Sequence, residues 1–356
     1  MENNSCFLRK MNSAVKGNNI TIGFIGGSIT QGTGATEEEN CYAYRVYKWW
    51  ESNFSNSQTK YINAGIGGTD SKFGVARVSD DLLQYKPDIV VVEFAVNDVD
   101  NPDCLQTAEG LIRRILENDK ETAVLILCNL IYDSAATMQD EYEKLAQHYD
   151  IPLISIKDTV YKKIQDGILK VEEVTTDKIH PIDKGHELIA KEVTDYLESV
   201  KKLVNCKEGQ VRDALPSPIT SNSYEDVIRY NSDNFNPLCE GFETDLSLQS
   251  DIRDCFKKGW FAKNMGDKIE FDILSRGFVI QYRRTVDGPA PKVRVCVDGI
   301  EVATLDGKFD QDWGDKLEIV TVSEYKEALM HKLTLTVYEA GEECVPFYLV
   351  SVIAKH

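Results

Sequence analysis

Three side chains stand out by type and setting. Ser28 lies in the glycine-rich run Gly26-Gly27-Ser28-Ile29-Thr30, and Asp177 and His180 sit three residues apart in Asp177-Lys178-Ile179-His180. A serine hydroxyl becomes nucleophilic when a neutral histidine takes its proton. A carboxylate beside that histidine fixes the tautomer able to do so. Acyl transfer also needs donors for the oxygen that turns negative at the tetrahedral stage. The runs Gly65-Ile66-Gly67-Gly68 and Asn97-Asp98 complete such a set: the backbone N–H groups of Ser28 and Gly68 and the side-chain amide of Asn97. Glycine suits a donor position because no Cβ holds the substrate off the backbone. Taken singly, each has a plainer reading: Ser28 capping a helix, Gly67 and Gly68 shaping a turn, Asn97 bracing a loop. Asp98 reads as a structural hydrogen-bonder and His186 as a surface or packing residue; His148 and His331 have no partner at an informative spacing.

These residues act together only if the fold brings them to one edge. Runs rich in β-formers at residues 20–25, 61–63, 88–94, 124–130 and 152–156 alternate with helical stretches at 42–54, 73–85, 105–116 and 138–149. A final helix starts near Asp183, a plausible N-cap. The run at 88–94 is nearly all apolar, as expected of a strand buried on both faces. This alternation predicts a parallel sheet wrapped by helices. Ser28, Gly68 and Asn97 then follow the first three strands, and functional crevices in such sheets lie beyond the strands' carboxyl ends.

The pattern changes after about residue 205. Residues 206–222 carry Gly209, Pro216 and Pro218 and read as a linker or wrap-around segment. Residues 292–297 and 300–305 alternate around Asp298-Gly299, a strong hairpin signal. Further strand-like runs lie at 268–273, 277–282, 333–338 and 347–353. The expected organisation is an α/β domain over 1–205, a linker or wrap over 206–222, and an antiparallel β-sandwich, jelly-roll-like, over 223–356. In the sandwich, Trp260, Tyr282, Phe309 and Trp313 are aromatics able to stack on sugar faces. Trp313, in the polar loop Asp310-Gln311-Asp312-Trp313-Gly314-Asp315, is the first choice. That acidic loop has calcium-binding character, though simple solvation is the preferred reading.

The chain has 356 residues, 42% hydrophobic and 28% charged, and a formal net charge of −18. This charge disfavours nucleic acid and anionic membranes, which need clustered Lys and Arg. The first residues have neither the basic nor the apolar region of a signal peptide, and no apolar run reaches transmembrane length. Nine scattered cysteines read as reduced thiols in a cytoplasmic protein. No metal or organic cofactor is required, and a homo-oligomer is left open.

The four blocks around Ser28, Gly68, Asn97 and Asp177/His180 resemble those of the SGNH (GDSL-like) hydrolases, over roughly residues 18–202. The resemblance implies a flavodoxin-like three-layer fold, with Ser28, His180 and Asp177 as the triad and Ser28, Gly68 and Asn97 forming the oxyanion hole. Two residues depart from the pattern: Gly27 stands where the name-giving motif has Asp, and Ala95 where Gly commonly precedes x-Asn-Asp. Together with the C-terminal sandwich, the arrangement is similar to carbohydrate esterase family 17, mannan 2-O-acetylesterases with a C-terminal module like carbohydrate-binding family 35. That implies removal of acetyl groups from manno-oligosaccharides through an acyl-Ser28 intermediate, with the sandwich helping to hold the sugar. The rivals are a lipid esterase or acyl-thioesterase using the same chemistry, and a non-catalytic glycan-binding protein.

Overall fold

The computed structural model describes residues 4–210, 212 and 214–356; residues 1–3 of the first predicted domain, and 211 and 213 of the wrap segment, lie outside the described residues. The chain forms two units, Met1–Glu225 and Asp226–His356.

The first unit holds a five-stranded parallel sheet in the order β2-β1-β3-β4-β5, from β1 (Ile20–Gly26), β2 (Thr59–Gly65), β3 (Ile89–Glu93), β4 (Ala123–Cys128) and β5 (Leu153–Ser155). The helices are α1 (Ser5–Val15), α2 (Ser28–Gln31), α3 (Tyr42–Asn53), α4 (Ser71–Asp81), α5 (Cys104–Asn118), α6 (Gln139–His148), α7 (Lys162–Gln165) and α8 (Asp183–Lys201). β3 and β4 are buried along their whole length. Strand side chains alternate between faces. Ile22 and Phe24 of β1, Ile89 and Val91 of β3, and Leu125 and Leu127 of β4 share a core with residues of α1, α3 and α8. The opposite face takes α4 and α5, and Gly74 of α4 is bare because a Cβ there would meet the Phe94 ring at 2.7 Å. This is a three-layer α/β/α unit, as expected. The strand order changes direction between β1 and β3, so the loops that follow them flank a crevice.

The structure departs from the sequence-based expectation in two places and, for residues 206–222, favours the wrap-around alternative over a linker. Helix α1 lies outside the helical stretches the sequence predicts, although Phe7, Leu8, Met11 and Ala14 are buried at helical spacing. Asp183 is not an N-cap: Ile182 holds that position, and the Asp183 carboxylate instead accepts from the Thr36 N–H at 2.8 Å and the Thr36 hydroxyl at 2.7 Å. Residues 206–222 belong with the first unit. Ile219 and Thr220 donate backbone N–H groups to buried Glu109 at 2.7 and 2.9 Å, and Arg113 pairs with Glu225 at 2.8 Å.

The second unit is all β: β6 (Val227–Tyr230), β7 (Leu238–Glu240), β8 (Glu243–Thr244), β9 (Trp260–Ala262), β10 (Lys268–Arg284), β11 (Lys292–Val297), β12 (Ile300–Asp306), β13 (Lys316–Glu339) and β14 (Phe347–Lys355). They form one antiparallel sheet of nine strands. Two predicted strands, 268–273 and 277–282, are halves of β10, separated by an irregularity between Ser275 and Gly277. The first half of β10 pairs with β7 and the end of β13; the second pairs with β14 and the start of β13. Ile269, Phe271 and Ile273 from one half and Phe278, Ile280 and Tyr282 from the other enter one core. The sheet thus folds over as a sandwich. Among the described residues no helix is long and apolar enough to cross a membrane.

Candidate active site

β1 ends at Gly26, Gly27 turns the chain, and Ser28 is the first residue of α2. The strand ends approach this turn closely. A Cβ on Gly26 would lie 2.5 Å from the Glu93 carbonyl oxygen, and one on Gly65 would lie 2.2 Å from the Gln31 nitrogen. Ser28 is buried, only 8% exposed.

His180 faces the Ser28 hydroxyl. Its Nε2 lies 2.9 Å from Ser28 Oγ, and its Nδ1 lies 2.6 Å from Asp177 Oδ2. Asp177 Oδ1 accepts the backbone N–H groups of Ile179 at 2.9 Å and His180 at 2.7 Å, and the Thr175 hydroxyl at 3.2 Å. Partial burial opposes the charge, but these donors, led by His180, hold the Asp177 carboxyl down at about 2. An ionised Asp177 accepts the Nδ1 proton of a neutral imidazole, which turns the Nε2 lone pair toward the Ser28 hydroxyl.

Both supporting loops are fastened. Lys178 takes a positive φ of 71°, and its carbonyl accepts the Tyr132 N–H at 2.7 Å. Gly34, at φ +91°, lets the loop after α2 press on the histidine loop: a Cβ there would lie 2.2 Å from the Pro181 carbonyl oxygen. With the Thr36–Asp183 hydrogen bonds, this ties the segment after Ser28 to the segment after His180.

The other two loops flank the turn. Gly68 sits at φ +67°, and the preceding Gly67 N–H donates to Gln31 Oε1 at 2.5 Å. Asn97 opens a 3-10 turn (Asn97–Asp100) after β3, with its amide against Gly27. Ala95, the second departure from the family pattern, is fully buried, and its carbonyl accepts the Met138 N–H at 2.8 Å. Ser28, Gly68, Asn97, Asp177 and His180 therefore all lie on loops at the carboxyl end of the sheet.

The sugar-contact candidates fare differently. Trp260 is 1% exposed and packs edge-on against Phe271, so the expectation of a sugar contact there is corrected: the indole fills the core. Tyr282 and Phe309 are buried as well. Trp313 is 60% exposed, with Phe309 edge-on at 4.7 Å. His186 is fully buried, accepting the Tyr42 N–H at Nδ1, and burial lowers it to about 4. Among the described residues, no group of three or more His, Cys, Asp or Glu side chains is placed to hold a metal ion.

Several supporting residues escaped the sequence. Thr30 donates to Glu93 Oε2 at 3.0 Å and shares a 2.8 Å hydrogen bond with the Tyr42 hydroxyl. Burial raises Glu93 to about 8. Its signal was visible: one carboxyl in the otherwise apolar Ile89-Val90-Val91-Val92-Glu93-Phe94. Buried Arg77 donates to the Gly26 carbonyl at 3.2 Å and pairs with Asp81 at 2.9 Å. Nothing in the spacing of residues pointed to that contact.

Residues 24–188 match the model of the GDSL-like lipase/acylhydrolase family. Thioesterase 1/protease 1/lysophospholipase L1 of Escherichia coli K12 is 28% identical over 187 residues, covering 50% of this chain and 83% of that protein. A solved two-domain esterase active on acetylated mannans, co-crystallised with mannopentaose, is 41% identical with a TM-score of 0.93, covering 98% of this chain and 94% of the other. A second structure of a two-domain esterase active on acetylated mannans gives 42% identity and a TM-score of 0.94, covering 99% and 95%.

Proposed function

We propose that this chain, whose residues 24–188 form a GDSL-like lipase/acylhydrolase (SGNH hydrolase) domain, is a serine esterase removing acetyl groups from manno-oligosaccharides. The observation that carries the chemistry is the relay Ser28 Oγ–His180 Nε2–Asp177, at 2.9 and 2.6 Å. The substrate class rests on likeness to the two-domain acetylmannan esterases across both units at 41–42% identity.

As Ser28 Oγ attacks the acetyl carbonyl carbon, its proton passes to His180 Nε2, and Asp177 stabilises the imidazolium. The carbonyl oxygen becomes an oxyanion facing the Ser28 and Gly68 N–H groups and the Asn97 amide. Collapse breaks the bond to the sugar oxygen, which leaves as a hydroxyl with the proton from His180. Water then repeats the sequence on acetyl-Ser28, with His180 as base, and releases acetate. Each preorganised donor contributes more to the transition state than to the ground state, because charge develops only there.

The second unit serves as the sugar-holding module, with Trp313 as its most exposed aromatic. Nine unpaired cysteines suit a reducing cytoplasm. A thioesterase or lysophospholipase reading draws on the Escherichia coli relative, but that likeness covers only half of this chain. Mass spectrometry of acetylated manno-oligosaccharides before and after treatment decides the matter. Losses of single acetyl masses support the proposal. Activity that instead rises with acyl chain length on thioesters or lysophospholipids overturns it.

A further inference from the structure

An oxyanion hole assembled from separate loops works only if the loops keep a common spacing. Donors must sit about 2.7–3.1 Å from one developing oxygen, and here Asn97 follows β3 while Gly68 follows β2. Under the reading of Ser28, Gly68 and Asn97 given above, we propose that Asp98 is the positioning residue that fixes that spacing, bridging the two loops with one fully buried carboxylate.

Asp98 is 0% exposed and adjoins Asn97 in the 3-10 turn, where its own N–H donates to the Phe94 carbonyl at 2.9 Å. Its Oδ1 accepts the backbone N–H of Ser71, first residue of α4, at 2.9 Å. Only Thr69 and Asp70 separate that residue from Gly68. Its Oδ2 accepts the Tyr142 hydroxyl of α6 at 2.7 Å, with Cys104 Sγ at 3.6 Å. Asn101 Nδ2 lies 3.4 Å from Oδ1 and 3.0 Å from Thr107 Oγ1, which closes the cluster.

The Gly68 loop is thereby pinned on both sides. Upstream, Gly67 N–H is held by Gln31 of the nucleophile helix at 2.5 Å; downstream, Ser71 N–H is held by Asp98. Between them Gly68 spans the gap with φ +67°, and Thr69 Oγ1 donates to the Ile66 carbonyl at 2.7 Å. A carboxylate at the first turn of α4 is also favoured by the helix dipole. The arrangement has a cost: burial and the neighbouring Asp70 charge push the Asp98 carboxyl up to about 6. Neutral packing would be cheaper for stability alone, yet a carboxylate stands where the loops carrying Gly68 and Asn97 meet.

The test is a double-mutant cycle on 4-nitrophenyl acetate with Asp98→Asn, Asn97→Ala and the pair, alongside Tyr142→Phe. Asp98→Asn is expected to lower kcat by about 10- to 100-fold with KM within about twofold, and to cost at least about threefold less once the Asn97 amide is gone. Tyr142→Phe, which spares the Ser71 bridge, should cost less than about tenfold and show the same non-additivity. An unchanged kcat in Asp98→Asn, or equal costs with and without Asn97, overturns the proposal, since general destabilisation would act independently of that amide. If Asp98→Asn does not fold, Tyr142→Phe decides on the same criterion. Ser28→Ala separates the two levels: retained activity there refutes the nucleophile assignment, whereas its loss beside an additive cycle refutes only the role of Asp98.

Discussion

The Cβ that Gly27 lacks would lie 2.3 Å from Oδ1 and 2.7 Å from Nδ2 of Asn97. The departure from the family motif at position 27 is thus matched by the close packing of the Asn97 amide beside the nucleophile turn. Gly27 has a negative φ of −87°, so the left-handed region is not what calls for glycine here. The constraint is the neighbouring amide.

Restoring a side chain at position 27 is therefore expected to harm activity. Gly27→Ala and Gly27→Asp should push Asn97 off the oxyanion and lower kcat by about 10- to 100-fold, approaching the roughly 10²–10³-fold cost of losing a donor outright. Adding Asn97→Ala to either variant should cost little more. Steady-state kinetics of the single and double variants on 4-nitrophenyl acetate check this, and wild-type turnover by Gly27→Asp would show that the amide is free to move.

The relay gives a second prediction. Ser28→Ala and His180→Ala should each lose about 10⁴-fold or more in kcat, and combining them should lose no more, because the two act as a unit. Asp177→Asn should lose roughly 10⁴-fold: with its amide oxygen kept on the Ile179 and His180 N–H groups, its NH2 donates to Nδ1, so the imidazole is left in the wrong tautomer. Burst kinetics with 4-nitrophenyl acetate read both acylation and turnover. Near-wild-type rates in any of the three would remove that residue from the triad.

Much of this site was legible because its parts lie beside signals that local sequence carries: a strand, then a glycine turn, then a polar residue. Ser28, Gly68 and Asn97 each follow a strand the sequence marks clearly, and Asp177 and His180 are near neighbours in one loop. What stayed hidden depends on contacts between distant segments. Arg77 meets the Gly26 carbonyl from across the fold, and Thr36 meets Asp183 from 147 positions away. In the second unit, β13 was recognised only at its end. Residues 323–332, Ser-Glu-Tyr-Lys-Glu-Ala-Leu-Met-His-Lys, are mostly exposed and rich in helix formers. Both ends of this stretch pair with β10, at Ser323–Glu324 and Leu329–Lys332, a tertiary effect that overrides propensity. Trp260 differs from its sequence-based reading for the same kind of reason: β14 pairs with its strand and the core takes the ring.

Glu93 predicts a pH dependence of stability. The unfolded carboxyl ionises near its ordinary value of 4.5, while burial beside Thr30 holds the folded one to about 8. The group's contribution is complete below the lower value and is lost as pH rises through the upper one. Glu93→Gln keeps the shape and cannot ionise. Relative to wild type, its stability should rise between pH 5 and pH 8.5, by roughly 4 kcal/mol if the full shift is expressed. Urea unfolding at both pH values measures it, and a difference independent of pH would show that Glu93 is ionised in the folded protein throughout.

The proposed sugar contact at Trp313 gives a prediction that separates binding of sugar from acyl chemistry. Its ring is 60% exposed, braced edge-on by Phe309, over which the Arg284 guanidinium lies at 5.3 Å. A braced aromatic loses little freedom when a sugar face stacks on it, and a contact of this kind contributes roughly 1 kcal/mol, about fivefold in affinity. Trp313→Ala is therefore expected to raise KM about fivefold for acetylated manno-oligosaccharides with kcat nearly unchanged. On 4-nitrophenyl acetate, which has no sugar to stack, both constants should stay at wild-type values. Equal losses on the two substrates would mean that the indole supports the fold of its loop and not the glycan, and unchanged constants on both would place the sugar elsewhere.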